Sequence, residues 1–152
     1  MKDELQSLPA DLELTEAAML EHPQIECPVQ HHFGPGIYIR EVMMPAGVLV
    51  MGHHHKGPCM NVLVQGSMLI IDPEGEPRQI DAPLTFTTGP GRKVAYMLSD
   101  VVFQNIFATE ETDVDVLEEL LIEKSDAWLA KHETAQIDAL SRAAIELQET
   151  EK

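Results

Sequence analysis

The chain is 152 residues long, enough for one domain with a real core and too short for two. Hydrophobic residues make up 44% and charged residues 24%, the balance of a globular protein rather than of a disordered chain. Ten Lys and Arg against 26 Asp and Glu leave a net charge of −16, which argues against nucleic acid and anionic membrane as partners, since the nearest thing to a basic patch is Arg92–Lys93.

Taken in order, residues 1–26 carry seven acids and one base, 27–109 six acids and five bases, and 110–152 thirteen acids and four bases. A nearly neutral centre therefore stands between two acidic arms, and the boundaries are set at 1–32, 33–109 and 110–152. The first residues lack the basic start and apolar run of a signal peptide. The longest apolar stretch, 42–52, contains Pro45 and is far short of a bilayer span. Cys27 and Cys59 are too few for a disulfide scaffold, so a reducing, cytoplasmic interior is expected.

Thr15 is placed to cap a short helix through Glu21. Short runs rich in β-branched and aromatic residues then follow at 37–42, 48–51, 60–64, 68–71, 84–88, 94–98 and 101–107. Gly34-Pro35-Gly36, Pro45-Ala46-Gly47, Gly57-Pro58, Gly66, Asp72-Pro73-Glu74-Gly75 and Gly89-Pro90-Gly91 separate them. Many short strands with turn chemistry between them predict a mainly β fold, an antiparallel sandwich or barrel. Asp72-Pro73-Glu74-Gly75 is the best single turn, because Pro presets φ and Gly permits the reversal. In the tail, Thr112 with Asp115 reads as a capping box before Val116, Leu117, Leu120 and Leu121, and Ser125 as the cap of a segment containing Trp128 and Leu129. Ile137, Leu140, Ala144 and Leu147 form one helical apolar stripe, which packs either on the barrel or on another subunit.

Chemistry concentrates between Gly47 and Gly66. On a strand, His53 and His55 share the face of Leu49 and Met51, and His54 points away to the surface. Lys56-Gly57-Pro58 reverses the chain and brings Cys59 beside His55. Two imidazoles and a thiolate make a plausible three-ligand set for zinc, with iron or nickel also possible. The competing reading of Cys59 is a small buried hydrophobe, and that of Met43, Met44, Met51, Met60, Met68 and Met97 is core filling. His31 and His32 fall on a surface loop, at most one of them capping the site. Arg92 and Asn61 are candidate ligand-binding residues, Arg92 for an anion near the barrel mouth. No nucleophile elbow, phosphate loop, dinucleotide fingerprint or pair of core carboxylates is present.

The spacing from Gly47 through His53, His55 and Cys59 to Gly66 resembles the first motif of the cupin family, with Cys59 in the place of the usual Glu. The resemblance covers roughly residues 33–109. It implies a single small jelly-roll barrel with the His pair facing inward and a divalent metal held there. The second motif departs from the pattern: aligned on Gly91 its His position is Val94, and aligned on Gly89 it is Arg92. The run from His31-His32-Phe33-Gly34-Pro35 to Arg40, with Thr109-Glu110-Glu111-Thr112-Asp113-Val114, is loosely similar to cupin-like proteins of tailed phages and prophages. The expectation is a non-catalytic binding or assembly module, a phage-associated accessory or virion protein. Homo-oligomer contacts run through the barrel and the C-terminal helix, and the acidic arms are free to meet a protein partner. The alternative is a metal-dependent enzyme acting on a small molecule at His53, His55 and Cys59, and a metal-free sensor using the barrel cavity is the third reading.

Overall fold

The computed structural model describes residues 11–71 and 76–150. Helix α1 (Leu12–Leu20) precedes strands β1 (Val29–Gly34), β2 (Ile37–Met44), β3 (Leu49–Met51), β4 (His54–His55), β5 (Cys59–Gln65) and β6 (Ser67–Ile71). Strands β7 (Arg78–Asp81), β8 (Leu84–Thr88), β9 (Val94–Met97) and β10 (Val101–Ala108) follow. Helix α2 (Val114–Leu121), strand β11 (Ile122–Glu123) and helix α3 (Asp126–Thr150) end the order. The fold is of the expected class: mainly β and antiparallel, with a short N-terminal helix and a helical C-terminal extension. All seven predicted runs are strands. The predicted turn at Asp72-Pro73-Glu74-Gly75 lies outside the described residues.

One sheet has the order β1-β2-β10-β5-β8, the other β3-β9-β6-β7, and every pairing is antiparallel. The core joins them: Val42 and Met44 of β2, Leu63 of β5 and Val101 of β10 pack with Met68 of β6 and Met97 of β9. Alternation along each strand sends every second side chain inward, so register converts sequence into layers. Three layers matter on the larger sheet. Tyr38, Phe107, Cys59 and Thr88 are neighbours in one, Arg40, Asn105, Asn61 and Phe86 in the next, and Val42, Phe103, Leu63 and Leu84 in the third. The methionines divide by the same alternation: Met44, Met68 and Met97 are buried fillers, whereas Met43 and Met60 lie on the outside. Between β5 and β6, Gly66 turns the chain at φ +91°, and a Cβ there would stand 2.3 Å from the carbonyl oxygen of Asp100.

The sheet begins at Val29, ahead of the boundary set at 33, so His31 and His32 belong to edge strand β1 rather than to a loop. Strand β7 was not foreseen either; its polar Arg-Gln-Ile-Asp sequence pairs at a sheet edge, where packing asks little of side chains. The helix caps shift by a few residues. Asp11, not Thr15, caps α1, its Oδ1 accepting from the amides of Glu13 at 2.8 Å and Leu14 at 3.3 Å. Thr15 sits buried inside the helix and donates its hydroxyl back to the Asp11 carbonyl, 3.0 Å away. Asp113, not Thr112, caps α2. Ser125 caps α3 as expected, accepting from the Trp128 amide at 3.1 Å. The stripe on α3 does not pack on the barrel: Ile137, Leu140 and Leu147 are 57%, 71% and 67% exposed. No described helix is long and apolar enough to cross a membrane.

Candidate functional site

The two sheets enclose a cavity of about 720 Å³. Its mouth is framed by His53, Arg92, Glu118, Lys124 and Trp128, which come from the loop after β3, the approach to β9, and the C-terminal extension. On the side of the smaller sheet the wall is Val50, Ala95 and Ile70, cross-strand neighbours in one row.

The histidine segment reaches this cavity by a different route from the one its spacing suggests. Strand β3 stops at Met51, and the backbone breaks at Gly52, whose amide bonds the Lys93 carbonyl at 3.0 Å. Strand β4 then pairs with β11 from the C-terminal extension, Ile122 opposite His55 and Glu123 opposite His54. His53 and His55 both line the cavity, and His54 is exposed. Across the hairpin the Cys59 Sγ lies 3.7 Å from His55 Nδ1. The Trp128 ring meets His53 edge-on at 4.8 Å between centroids, and Trp128 stacks in turn on His132 at 3.7 Å.

Burial governs how these groups titrate. It lowers His53 to about 4, helped by the charges of Lys124, Arg92 and Arg40 and opposed by Glu118, so the ring is neutral at pH 7. His55 is lowered as well, by burial first and then by Arg40, His54 and Lys93. The Cys59 thiol is pushed up by burial against the opposing hydrogen bonds of Thr88 and Asn105, which favours thiol over thiolate.

A metal needs three or more converging donors. Among the described residues no group of three or more His, Cys, Asp and Glu stands close enough to hold one. His55 and Cys59 are adjacent, but His53 turns to Trp128 and its Nδ1 is buried without a hydrogen-bond partner. The second-motif positions do not repair the set: Val94 is a buried apolar side chain, and Arg92 is held by a carboxylate. His53, His55 and Cys59 thus do not fit the zinc, iron or nickel that the cupin resemblance implies.

The two candidate ligand-binding residues fare differently. Arg92 lines the cavity, but its guanidinium is committed, donating to the Glu16 carboxylate and, through Nε, to the Gly52 carbonyl at 2.9 Å. Asn61 is buried in the middle layer. It accepts from Asn105 Nδ2 at 2.7 Å and donates to Thr88 Oγ1 at 2.9 Å. His31 also reaches the cavity, its Nδ1 2.6 Å from the Tyr38 hydroxyl, while His32 stands 3.8 Å from Glu41.

Four residues important to this interior were not singled out from sequence: Glu16, Arg40, Asn105 and Trp128. Glu16 is buried in α1 and accepts from Arg92 and from Ser125 Oγ, the latter at 2.5 Å, so one carboxylate ties both helical arms to the barrel mouth. Burial alone would raise it; the hydrogen bonds of Arg92 and Ser125 and the charges of Arg92 and His53 outweigh that and hold it below the ordinary carboxylate value. Arg40 and Asn105 carried a legible signal. Arg40 alternates with Tyr38, Val42 and Met44, and Asn105 with Phe103 and Phe107, so each is a lone polar residue on an apolar face.

No family model and no curated protein matches the chain. Among solved structures it is similar to an RmlC-like cupin family protein with a double-stranded β-helix fold from Methanocaldococcus jannaschii. That match has 12% identity over 55% of this chain and 81% of that one, with a TM-score of 0.46. A cupin superfamily protein from Desulfitobacterium hafniense DCB-2 matches at 10% identity over 62% and 87%, with a TM-score of 0.46. A cupin domain from Bordetella pertussis Tohama I matches at 18% over 58% and 98%, with a TM-score of 0.45. These solved structures carry the family name that the spacing of Gly47, His53, His55 and Gly66 resembles.

Proposed function

We propose that the chain is a non-catalytic binding module whose barrel holds a small molecule, with the C-terminal helix joining copies of the chain. The observation that carries the first half is the cavity itself. At about 720 Å³ it has the size of a small-molecule site, and a few buried polar groups sit among apolar walls, the arrangement that fixes a ligand's orientation. The second half rests on α3, none of whose residues is buried although Leu129, Ile137, Leu140, Ile145 and Leu147 are large and apolar.

Neutral aromatic amides, from benzamide to 4-phenylbutanamide, are suitable probes, and saturation-transfer NMR detects them even at millimolar affinity. Binding is expected to the full chain and to disappear in Ala95→Phe, which fills the wall between Val50 and Ile70. Binding that survives the substitution, or no binding by any of these amides or their parent acids, refutes the reading. One equivalent of zinc or nickel retained through dialysis, and lost in a His53→Ala/His55→Ala double variant, would favour the metal-dependent enzyme instead. For the helix, light scattering should find the full chain oligomeric and a 1–124 truncation smaller in subunit number. Two monomers would remove the assembly role.

A further inference from the structure

We propose that the ligand is a small organic acid whose carboxylate is held by Arg40 at mid-depth in the barrel. This rests on the cavity reading above and adds the chemistry of the occupant. Five cationic side chains line the cavity: Arg40, Arg78, Arg92, Lys93 and Lys124. Two are already neutralised, Arg92 by Glu16 and Lys124 by Glu118 at 2.8 Å. Arg78 and Lys93 are exposed to water at the rim. Arg40 is different. It stands on inward-facing positions of β2, between the layer of Tyr38 and that of Val42, and its cross-strand neighbour is buried Asn105. It forms no hydrogen bond or ion pair with any described residue.

A guanidinium cannot shed its proton to escape burial, and it brings five N–H donors in a planar fork. Leaving such a group in a protein interior without an anion is costly. A carboxylate is the complementary partner, matching the fork with two parallel hydrogen bonds. Arg40 has no hydrogen-bonded counterion, and Glu118, which already pairs with Lys124, acts on it only through space, so one added negative charge is called for and a monoanion fits better than a phosphate dianion. The rest of the ligand is constrained by the walls. Val42, Phe103 and Met44 on one side of the Arg40 layer, with Met68 and Met97 opposite, offer an apolar body rather than a sugar or a nucleotide. The chain's net charge of −16 repels anions at long range. Affinity for an acid therefore has to come from a local, desolvated contact of this kind.

The test pairs each acid with its amide, benzoate with benzamide and 4-phenylbutyrate with 4-phenylbutanamide, titrated into the full chain at pH 7. The acids should bind at least about tenfold more tightly than the amides, the value of one charge-assisted contact. Arg40→Met should abolish that preference and leave amide binding intact, and Arg40→Lys should restore part of it. Because the substitution removes an uncompensated interior charge, unliganded Arg40→Met should melt no lower than the parent chain. Amides that bind as well as acids overturn the proposal while the cavity reading stands. Inorganic phosphate that competes better than the acids overturns it too, as does a large loss of stability in Arg40→Met. If neither acids nor amides bind, the cavity reading falls and takes this proposal with it.

Discussion

Replacing Glu16 by Ala tests whether the two arms are held to the barrel by one buried ion pair. The Glu16 and Arg92 side chains are 6% and 12% exposed, so neither charge has much water to fall back on. Deleting the carboxylate leaves the Arg92 guanidinium with the Gly52 carbonyl as its remaining acceptor among the described residues, and the Ser125 hydroxyl loses the group it donates to. Breaking one side of a buried pair costs about 3–5 kcal/mol, mostly the desolvated charge left behind. The Arg92→Ala variant should cost a similar amount for the mirror reason. In the double variant no orphaned charge remains, so it should fall short of the sum of the singles by about 2 kcal/mol or more. Urea unfolding followed by far-UV circular dichroism gives the global figure. Trp128, the single tryptophan, reports separately on the mouth. Singles that add, or a Glu16→Ala cost below about 1 kcal/mol, would show that the pair is a surface contact of little consequence.

Acid should weaken the fold in two steps. His53 titrates near 4 when folded and near 6.5 when unfolded, so its contribution is complete above pH 6.5 and is lost as pH falls through 4. At about 1.4 kcal/mol per pH unit that is at most about 3.5 kcal/mol, less because the ring is partly exposed. Urea midpoints against pH should flatten over this range in His53→Gln, and parallel curves for parent and variant would refute it. Glu16, depressed below 4.5, acts at lower pH in the same direction: its stabilisation is full above that value and fades as its carboxyl protonates. Gly66→Ala should cost about 2 kcal/mol or more, since the residue needs positive φ and its Cβ would collide with the Asp100 carbonyl. A melting temperature within a degree of the parent would show that the turn can relax.

Alternation made most of the barrel readable. Strands such as β5, with Cys59, Asn61 and Leu63 inward and Met60 and Val64 outward, announce themselves by period alone. Strand β1 did not, because all six of its residues are exposed and its pairing with β2 is made by backbone. The helix caps were off by a few residues wherever two cap-forming side chains stood close together, as at Thr112 and Asp113. At the site, parity placed His53 and His55 on one side, and both do line the cavity. It could not show that the backbone breaks at Gly52 or that β11 supplies the partner of β4. Glu16 and Trp128 were out of reach for the same reason. Their positions are fixed by contacts across the whole chain, and no local pattern marks a residue whose partner lies 109 positions away.

The Ser125 hydroxyl that receives the α3 amide and reaches the Glu16 carboxylate also sets an order of events during synthesis. Strands β1 to β10 can pair before residue 125 has left the ribosome, but the mouth cannot close until it does. Until residue 125 arrives, a barrel whose strands have paired lacks the Ser125 contact at its mouth, and Arg40 and the interior methionines lie behind that opening. That interval is when an occupant could be trapped inside rather than threaded in afterwards, and a slow off-rate in the finished protein would be its signature.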